Sequence, residues 1–242
     1  MALYYSKQSK TESSTYSLCF SQRILALSSN FKNTVEHLKK RPTLVILAGG
    51  KSSRMKQPKG LLLWKNTYWI LCQIETFIGT EVCIGLGHDH QLYFDAIPWL
   101  KEAVNTLITY HKKNIRVVIN PNPTLGPFSN LLSVLQHLKP DVQIVFLPVD
   151  VPLFNATAQK KLFTTNNLIA IPKYQDKKGH PIKINSEFRR LISKRNPTDK
   201  DARLDFLIKT RKASEISFIE VTDACCIENL NTPKDWQLFI SN

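Results

Sequence analysis

Thr43-Leu44-Val45-Ile46-Leu47-Ala48 is a short apolar run that ends abruptly in Gly49-Gly50. A run of this length and composition, closed by glycine, reads as a strand buried on both faces. Such a strand needs cover above and below, because a parallel sheet carries its crossover helices on its faces. The rest of the chain supplies that cover in alternation. Strands are expected at 81–86, 116–119, 143–147, 168–171, 218–221 and 226–230. Helices are expected at 68–78, 129–138, 155–163, 186–193 and 201–209, with Asn155 capping the third. Thr232 is placed to cap a last helix with Pro233 at its first position, where the missing N–H is no loss. The stretch 98–114 reads as an extra helix or a long connection. This order implies an α/β fold with a mostly parallel sheet covered on both faces. Ligands in such folds sit beyond the carboxyl ends of the strands.

Composition narrows the function classes. Hydrophobic residues make up 43% of 242 and charged residues 21%, which excludes a wholly disordered chain. No apolar run reaches the roughly 18–20 residues that a membrane helix needs. Five cysteines without C-x-x-C spacing give neither a disulfide framework nor a zinc knuckle, so a reducing, cytoplasmic setting is expected. Cys225 and Cys226, in the strand expected at 226–230, should face opposite sides. The net charge of +14 fits a nucleic-acid binder, an enzyme of phosphorylated substrates, or many solvated lysines. The basic residues are scattered, and nucleic acid is not the expected partner. Residues 1–41 stand apart as a serine-rich N-terminal extension, with a short helix expected over 30–40. The domain itself is expected over 42–242.

The chemistry concentrates in the loop after the first strand, Gly49-Gly50-Lys51-Ser52-Ser53-Arg54-Met55-Lys56-Gln57-Pro58-Lys59-Gly60. Paired glycines let a backbone approach a ligand closely and leave N–H groups free. Those donors, with Arg54 and Lys59, suit a polyphosphate. The loop is not a Walker A motif, since Met55 stands at the second glycine position and no G-K-[ST] follows. Gly85-Leu86-Gly87-His88 lacks the third glycine of a dinucleotide fingerprint, because position 90 is histidine. Leu147-Pro148-Val149-Asp150-Val151-Pro152 ends another apolar strand on a carboxylate between prolines. It reads as a turn cap or as a metal ligand. Asn120 to Ser133 joins a strand to a helix, with Ser129 a candidate cap. Gly179-His180-Pro181-Ile182 and Asn229-Leu230-Asn231-Thr232-Pro233 are two further polar junctions.

The first loop resembles the signature L-A-G-G-x-S-x-R-M-G-x-x-K of the MobA-like NTP transferases. It matches at Leu47, Ala48, Gly49, Gly50, Ser52, Arg54, Met55 and Lys59, with Lys56 in place of a glycine. The strings at 148–152, 126–133 and 229–233 are similar to later motifs of the same family, with Asn130 replacing a second glycine. The resemblance implies a single three-layer Rossmann-like domain of the nucleotide-diphospho-sugar transferase type. It implies transfer of NMP from an NTP to a phosphorylated acceptor with release of pyrophosphate. Gly126-Pro127 and the 229–233 string lean toward GTP and molybdopterin, as in molybdenum cofactor guanylyltransferases. Gly179-His180-Pro181 also fits the cytidylyl relatives, which use CTP. Carried over residue by residue, Arg54, Lys59 and Asp150 are the expected catalytic residues. The nucleotide would meet Leu47, Ala48, Gly49, Gly50, Lys51, Ser52, Lys59, Asn120, Gly126, Pro127 and Asn130. Mg2+ would lie on Asp150 and Asn229. His180, Lys183 and basic residues around 173–190 would face the acceptor. Two rivals remain: a basic nucleic-acid-binding protein, and a nucleotide-binding relative without activity.

Overall fold

The computed structural model describes residues 41–241. The helix expected over 30–40, and nearly all of the N-terminal extension, lie outside the described residues. Pro42–Asn242 is one compact unit.

Strand β1 (Thr43–Ala48) leads through the site loop to a small ribbon, β2 (Leu63–Trp64) and β3 (Thr67–Tyr68). Helix α1 (Trp69–Thr76), β4 (Glu81–Leu86), α2 (His90–Ala96) and α3 (Trp99–Glu102) follow. Next come β5 (Ile108–Tyr110), β6 (Lys113–Ile119), α4 (Pro127–Gln136), β7 (Ile144–Pro148) and α5 (Ala156–Phe163). The second half holds β8 (Ile169–Tyr174), β9 (Lys177–Lys178), β10 (Ile182–Ile184), α6 (Ser186–Ser193) and α7 (Leu204–Lys209). Strand β11 (Ile216–Glu220) and helix α8 (Pro233–Ser241) close the chain. The main sheet runs β11-β8-β10-β7-β1-β4-β6-β5, with β9 paired to β8. Strand β1 is parallel to β7 and β4, and β4 to β6. Strand β10 is antiparallel to both β7 and β8.

Side chains alternate across a strand, and β1 uses this to build two cores. Leu44 and Ile46 face one apolar cluster, into which α1, α2, α5 and α8 pack. Val45 and Leu47 face the other, filled by Phe128, Leu131 and Leu135 of α4 and by α6 and α7. The result is the expected three-layer α/β fold with a large, mostly parallel sheet. No helix among the described residues is long and apolar enough to cross a membrane.

Several boundaries differ from the sequence reading. Residues 226–230 are not a strand: Ala224–Ile227 is a 3-10 turn, begun by Asp223, whose Oδ1 accepts from the Cys225 N–H at 3.1 Å. The opposed faces expected for Cys225 and Cys226 therefore do not arise. Cys72, Cys83, Cys225 and Cys226 are all free thiols. The stretch 98–114 holds α3 and the antiparallel edge strand β5. Helix α4 begins two residues earlier than expected, on Pro127 after Gly126 at φ +83°. Ser129 is thus inside the first turn, where its hydroxyl donates to the Gly126 or Asn122 carbonyl (2.8 and 3.1 Å). Asn155 and Thr232 do cap their helices. Thr232 Oγ1 accepts from Asp235 N–H at 3.2 Å, while Asp235 Oδ2 accepts from Thr232 N–H at 2.8 Å, a reciprocal capping box.

Candidate functional site

The carboxyl ends of β1 and β7, with loops that follow β4 and β6, surround a cavity of about 480 Å³. Leu47, Ala48, Gly49, Gly50, Lys51, Ser52 and Arg54 line it, with Lys59, Asn120, Gly126, Pro127, Asn130 and Asp150. The structure therefore gathers at one rim residues that lie far apart in the chain. The β1 loop is shaped by its own bonds. Met55 and Lys56 N–H donate to Ser52 O (2.9 and 3.1 Å), Lys59 N–H donates to Ser52 Oγ (3.3 Å), and Met55 is buried as an anchor. The N–H groups of Gly50 and Lys51 are left without a partner among the described residues. A Cβ added to Gly50 would meet nothing within 4 Å. The fold thus tolerates a side chain there, on a residue that lines the cavity. Unpartnered N–H groups beside open space form an anion cradle.

The same cavity holds a charge cluster. Lys59 Nζ is 2.7 Å from Asp150 Oδ2 and 2.7 Å from Asn231 Oδ1. Arg54 donates to the same Asn231 oxygen at 3.3 Å. The turn that carries Asp150 is fixed from below by α1. Trp69 Nε1 donates to Val149 O (2.7 Å), Gln73 Nε2 donates to Val151 O (2.9 Å), and Leu153 N–H donates to Gln73 Oε1 (2.9 Å). The Leu230 N–H donates to Asp150 O at 2.8 Å and ties in the last loop. The placement of the last loop corrects the expectation for Asn229: Leu230 is buried against the Asp150 turn, and of its two neighbours only Asn231 lines the cavity. Asn229 is exposed and bonds Ile227 O at 3.3 Å, while Asn231 enters the cavity. Asp150 and Asn231 present two oxygens to one cationic centre, a donor set that suits a hard divalent ion. Among the described residues no three His, Cys, Asp or Glu side chains gather into a metal group. A cation held here would need more oxygens from a ligand or from water.

The two departures from the family signature have clear geometry. Asn130 is buried beside Gly49 and Gly85, with Nδ2 donating to Gly85 O at 3.0 Å and Oδ1 without a partner among the described residues. A Cβ on Gly49 would come within 2.4 Å of its Nδ2, and one on Gly85 within 2.7 Å of its Oδ1. Asn130 therefore fills the space that two glycines leave and forms part of the cavity wall. Lys56 takes φ +60°, the left-handed region that favours glycine. Asn120 lines the cavity, but its amide serves the loop: it donates to Ser129 Oγ and accepts from Asn122 N–H and Ser133 Oγ.

The acceptor-side expectations fare differently. Lys183 is buried, and its ammonium donates to the carbonyls of Phe163 and Thr165 at the end of α5. Burial lowers its pKa to about 8. It caps the end of α5 from the middle of β10, where it pairs with Val145 of β7, and it lines neither the cavity nor its neighbour, so its role toward an acceptor is withdrawn. Arg189, also buried, donates to four carbonyls at the end of α4. The basic run around 173–190 is therefore no single patch. His180 does lie beside the site, its ring 5.7 Å from that of Phe146, which lines the cavity. Burial pulls its pKa down to about 4, opposed in part by Asp150. Sequence reasoning missed Asn231, His88 and Phe146 as cavity residues.

Comparison with known proteins extends this. The profile of the MobA-like NTP transferase domain matches residues 44–214. A molybdenum cofactor guanylyltransferase of Xanthomonas euvesicatoria pv. vesicatoria (strain 85-10) is 29% identical over 120 residues. The match covers 50% of this chain and 52% of that one, so the chain spans about half the length of this curated relative. The crystal structure of a Mycobacterium sp. strain JC1 homologue of Mycobacterium tuberculosis Rv0371c superposes with a TM-score of 0.63 at 21% identity, covering 84% of this chain and 96% of that one. Mycobacterium tuberculosis H37Rv Rv0371C, crystallised in complex with manganese, gives 0.60 at 17% identity over 84% and 99%. These structures share the fold. With a profile match across most of the chain and a glycine-lined cradle facing an acid at the sheet's rim, the protein belongs to the MobA-like NTP transferase domain family.

Proposed function

We propose that this nucleotidyltransferase-family chain moves GMP from GTP to molybdopterin and releases pyrophosphate. The observation that carries the reading is the convergence of Asp150 and Asn231 on one cationic centre beside the open Gly50 cradle. The guanylyl and molybdopterin assignments draw support from the name of the relative matched over about half its length. The N–H groups of Gly50 and Lys51, with Arg54, would grip the leaving phosphates. An oxygen of the acceptor's phosphate attacks the α-phosphorus in line. Its new P–O bond forms as the bond to the β-phosphate oxygen breaks, and pyrophosphate leaves with that electron pair. A phosphate nucleophile is already ionised near neutral pH, so positioning and charge stabilisation suffice. Mg2+, when bound, would be held by Asp150 and Asn231 and would neutralise charge between the phosphates. For the acceptor, a neighbouring cavity of about 520 Å³ shares Phe146 with the first and is bordered by His180, Lys178, Lys209 and Arg211. Lys178, Lys209 and Arg211 on its border favour an anionic acceptor.

The test is a thermal-shift panel of GTP, CTP, ATP and UTP with and without Mg2+, followed by pyrophosphate release with molybdopterin. GTP with Mg2+ is expected to stabilise most, and Gly50→Val to lose that shift while its own midpoint is unchanged. A larger shift with CTP would replace the guanylyl assignment by a cytidylyl one. No shift with any nucleotide, together with salt-sensitive binding to generic DNA, would overturn the enzyme reading.

A further inference from the structure

The charge cluster contains its own cation. Lys59 Nζ sits between Asp150 Oδ2 and Asn231 Oδ1 at equal distances of 2.7 Å, in the position to which both oxygens point. Its side chain is only 13% exposed and that of Asp150 22%. Arg54 adds a second cation on Asn231. Resting on the metal reading above, we propose that Lys59 is a resident counter-cation that closes this donor pair to a free divalent ion and yields it only when a triphosphate arrives.

A divalent ion bonded to both oxygens, at the roughly 2.0–2.1 Å typical of magnesium, would occupy the space that the ammonium now fills. Two cations cannot share it, so Lys59 has to leave first. A free ion would also join two cations that already face one carboxylate, and would send the ammonium out without a new partner. A metal–triphosphate complex removes both penalties. It brings net negative charge, and its phosphates, held on the Gly50 and Lys51 N–H groups, offer Lys59 new oxygens. The lysine is built for such a move. Its backbone is fixed at the start of a 3-10 turn (Lys59–Leu61) by the bond to Ser52 Oγ, while the ammonium sits at the end of an intrinsically flexible four-carbon stem. Lys59 is thus a positioning residue in the free protein and a phosphate partner in the loaded one. Metal and triphosphate become obligate companions, each raising the affinity for the other.

Binding of Mn2+, read by water-proton relaxation enhancement of protein-bound ion, tests this without turnover. The wild-type protein is expected to hold Mn2+ weakly alone and at least about tenfold more tightly with inorganic tripolyphosphate. Lys59→Met is expected to bind Mn2+ alone at least about tenfold more tightly than wild type and to lose most of that synergy. Lys59→Gln, which removes the charge but keeps a donor, serves if the methionine collapses the site. Adding Asp150→Asn to either variant is expected to abolish the gained affinity. Equal Mn2+ affinity of wild type and both Lys59 variants overturns the proposal, as does a wild-type affinity indifferent to tripolyphosphate. Failure of the wild type to bind Mn2+ even with tripolyphosphate rejects the metal reading itself, a result distinct from either.

Discussion

Two single residues in the site carry costs that can be measured. Lys56 holds φ +60° with its side chain exposed, so its Cβ is strained and nothing buried compensates. A left-handed conformation costs an ordinary residue about 1–2 kcal/mol, and glycine's extra freedom in the unfolded chain returns part of it. Lys56→Gly is therefore expected to stabilise the protein by about 1 kcal/mol. In guanidinium titrations the midpoint should rise with an unchanged slope; a lower midpoint would show that the lysine makes a compensating contact. His180 poses the opposite case. Burial holds its pKa near 4, below the roughly 6.5 of an unfolded chain. Between those values the unfolded state binds more protons than the folded one. The stability tied to neutral His180 is thus complete above about pH 6.5, falls as pH drops toward 4, and changes no further below that. Carboxylates titrate in the same range, so the comparison is with His180→Gln. Its urea midpoint should fall less steeply than wild type from pH 6.5 to 4, and parallel profiles would refute the buried-imidazole account.

At the scale of elements, the β7 turn is aimed by helix α1 rather than by its own prolines alone. Gln73 is buried and answers Val151 O and Leu153 N–H at once. Gln73→Leu keeps the volume but orphans both groups, at about 1–3 kcal/mol each. It is expected to lower the unfolding midpoint and also to weaken Mn2+–tripolyphosphate binding, since Asp150 rides on that turn. Lost stability with unchanged binding would show that the turn holds its aim unaided. Gln73 left no trace in the sequence, because one polar residue in the helix pattern at 68–78 reads as a solvent-facing position. The β1 loop was legible for a local reason: glycine pair, serine and cations are neighbours in the chain. Asn229 and Asn231 could not be separated that way, since the choice rests on Leu230 N–H reaching Asp150 O. Lys183 misled for a similar cause. In β10 its neighbours Ile182 and Ile184 face one core, which turns the lysine toward the end of α5.

At the scale of the whole molecule, alternation of strand and helix made the layered α/β fold readable, because periodicity records which faces are buried. Strand order is not recorded in periodicity, so the antiparallel insertion of β10 between β7 and β8 was not readable. That insertion extends one sheet as the common wall of both cores, and the shared wall has a thermodynamic consequence. Strand β1 gives Leu44 and Ile46 to one core and Val45 and Leu47 to the other. Neither core can lose its wall while the other keeps its own, so the two should melt together. The tryptophans make this testable, because Trp64, Trp69, Trp99 and Trp236 all pack on the same face. Tryptophan fluorescence therefore reports one core, while far-ultraviolet circular dichroism reports helices of both. The two signals are expected to trace a single coincident urea transition. Fluorescence that changed at clearly lower urea than the dichroism would mean that the α1–α8 face opens by itself. The turn that carries Asp150, which hangs from α1, would then be a mobile part of the site and not a fixed one.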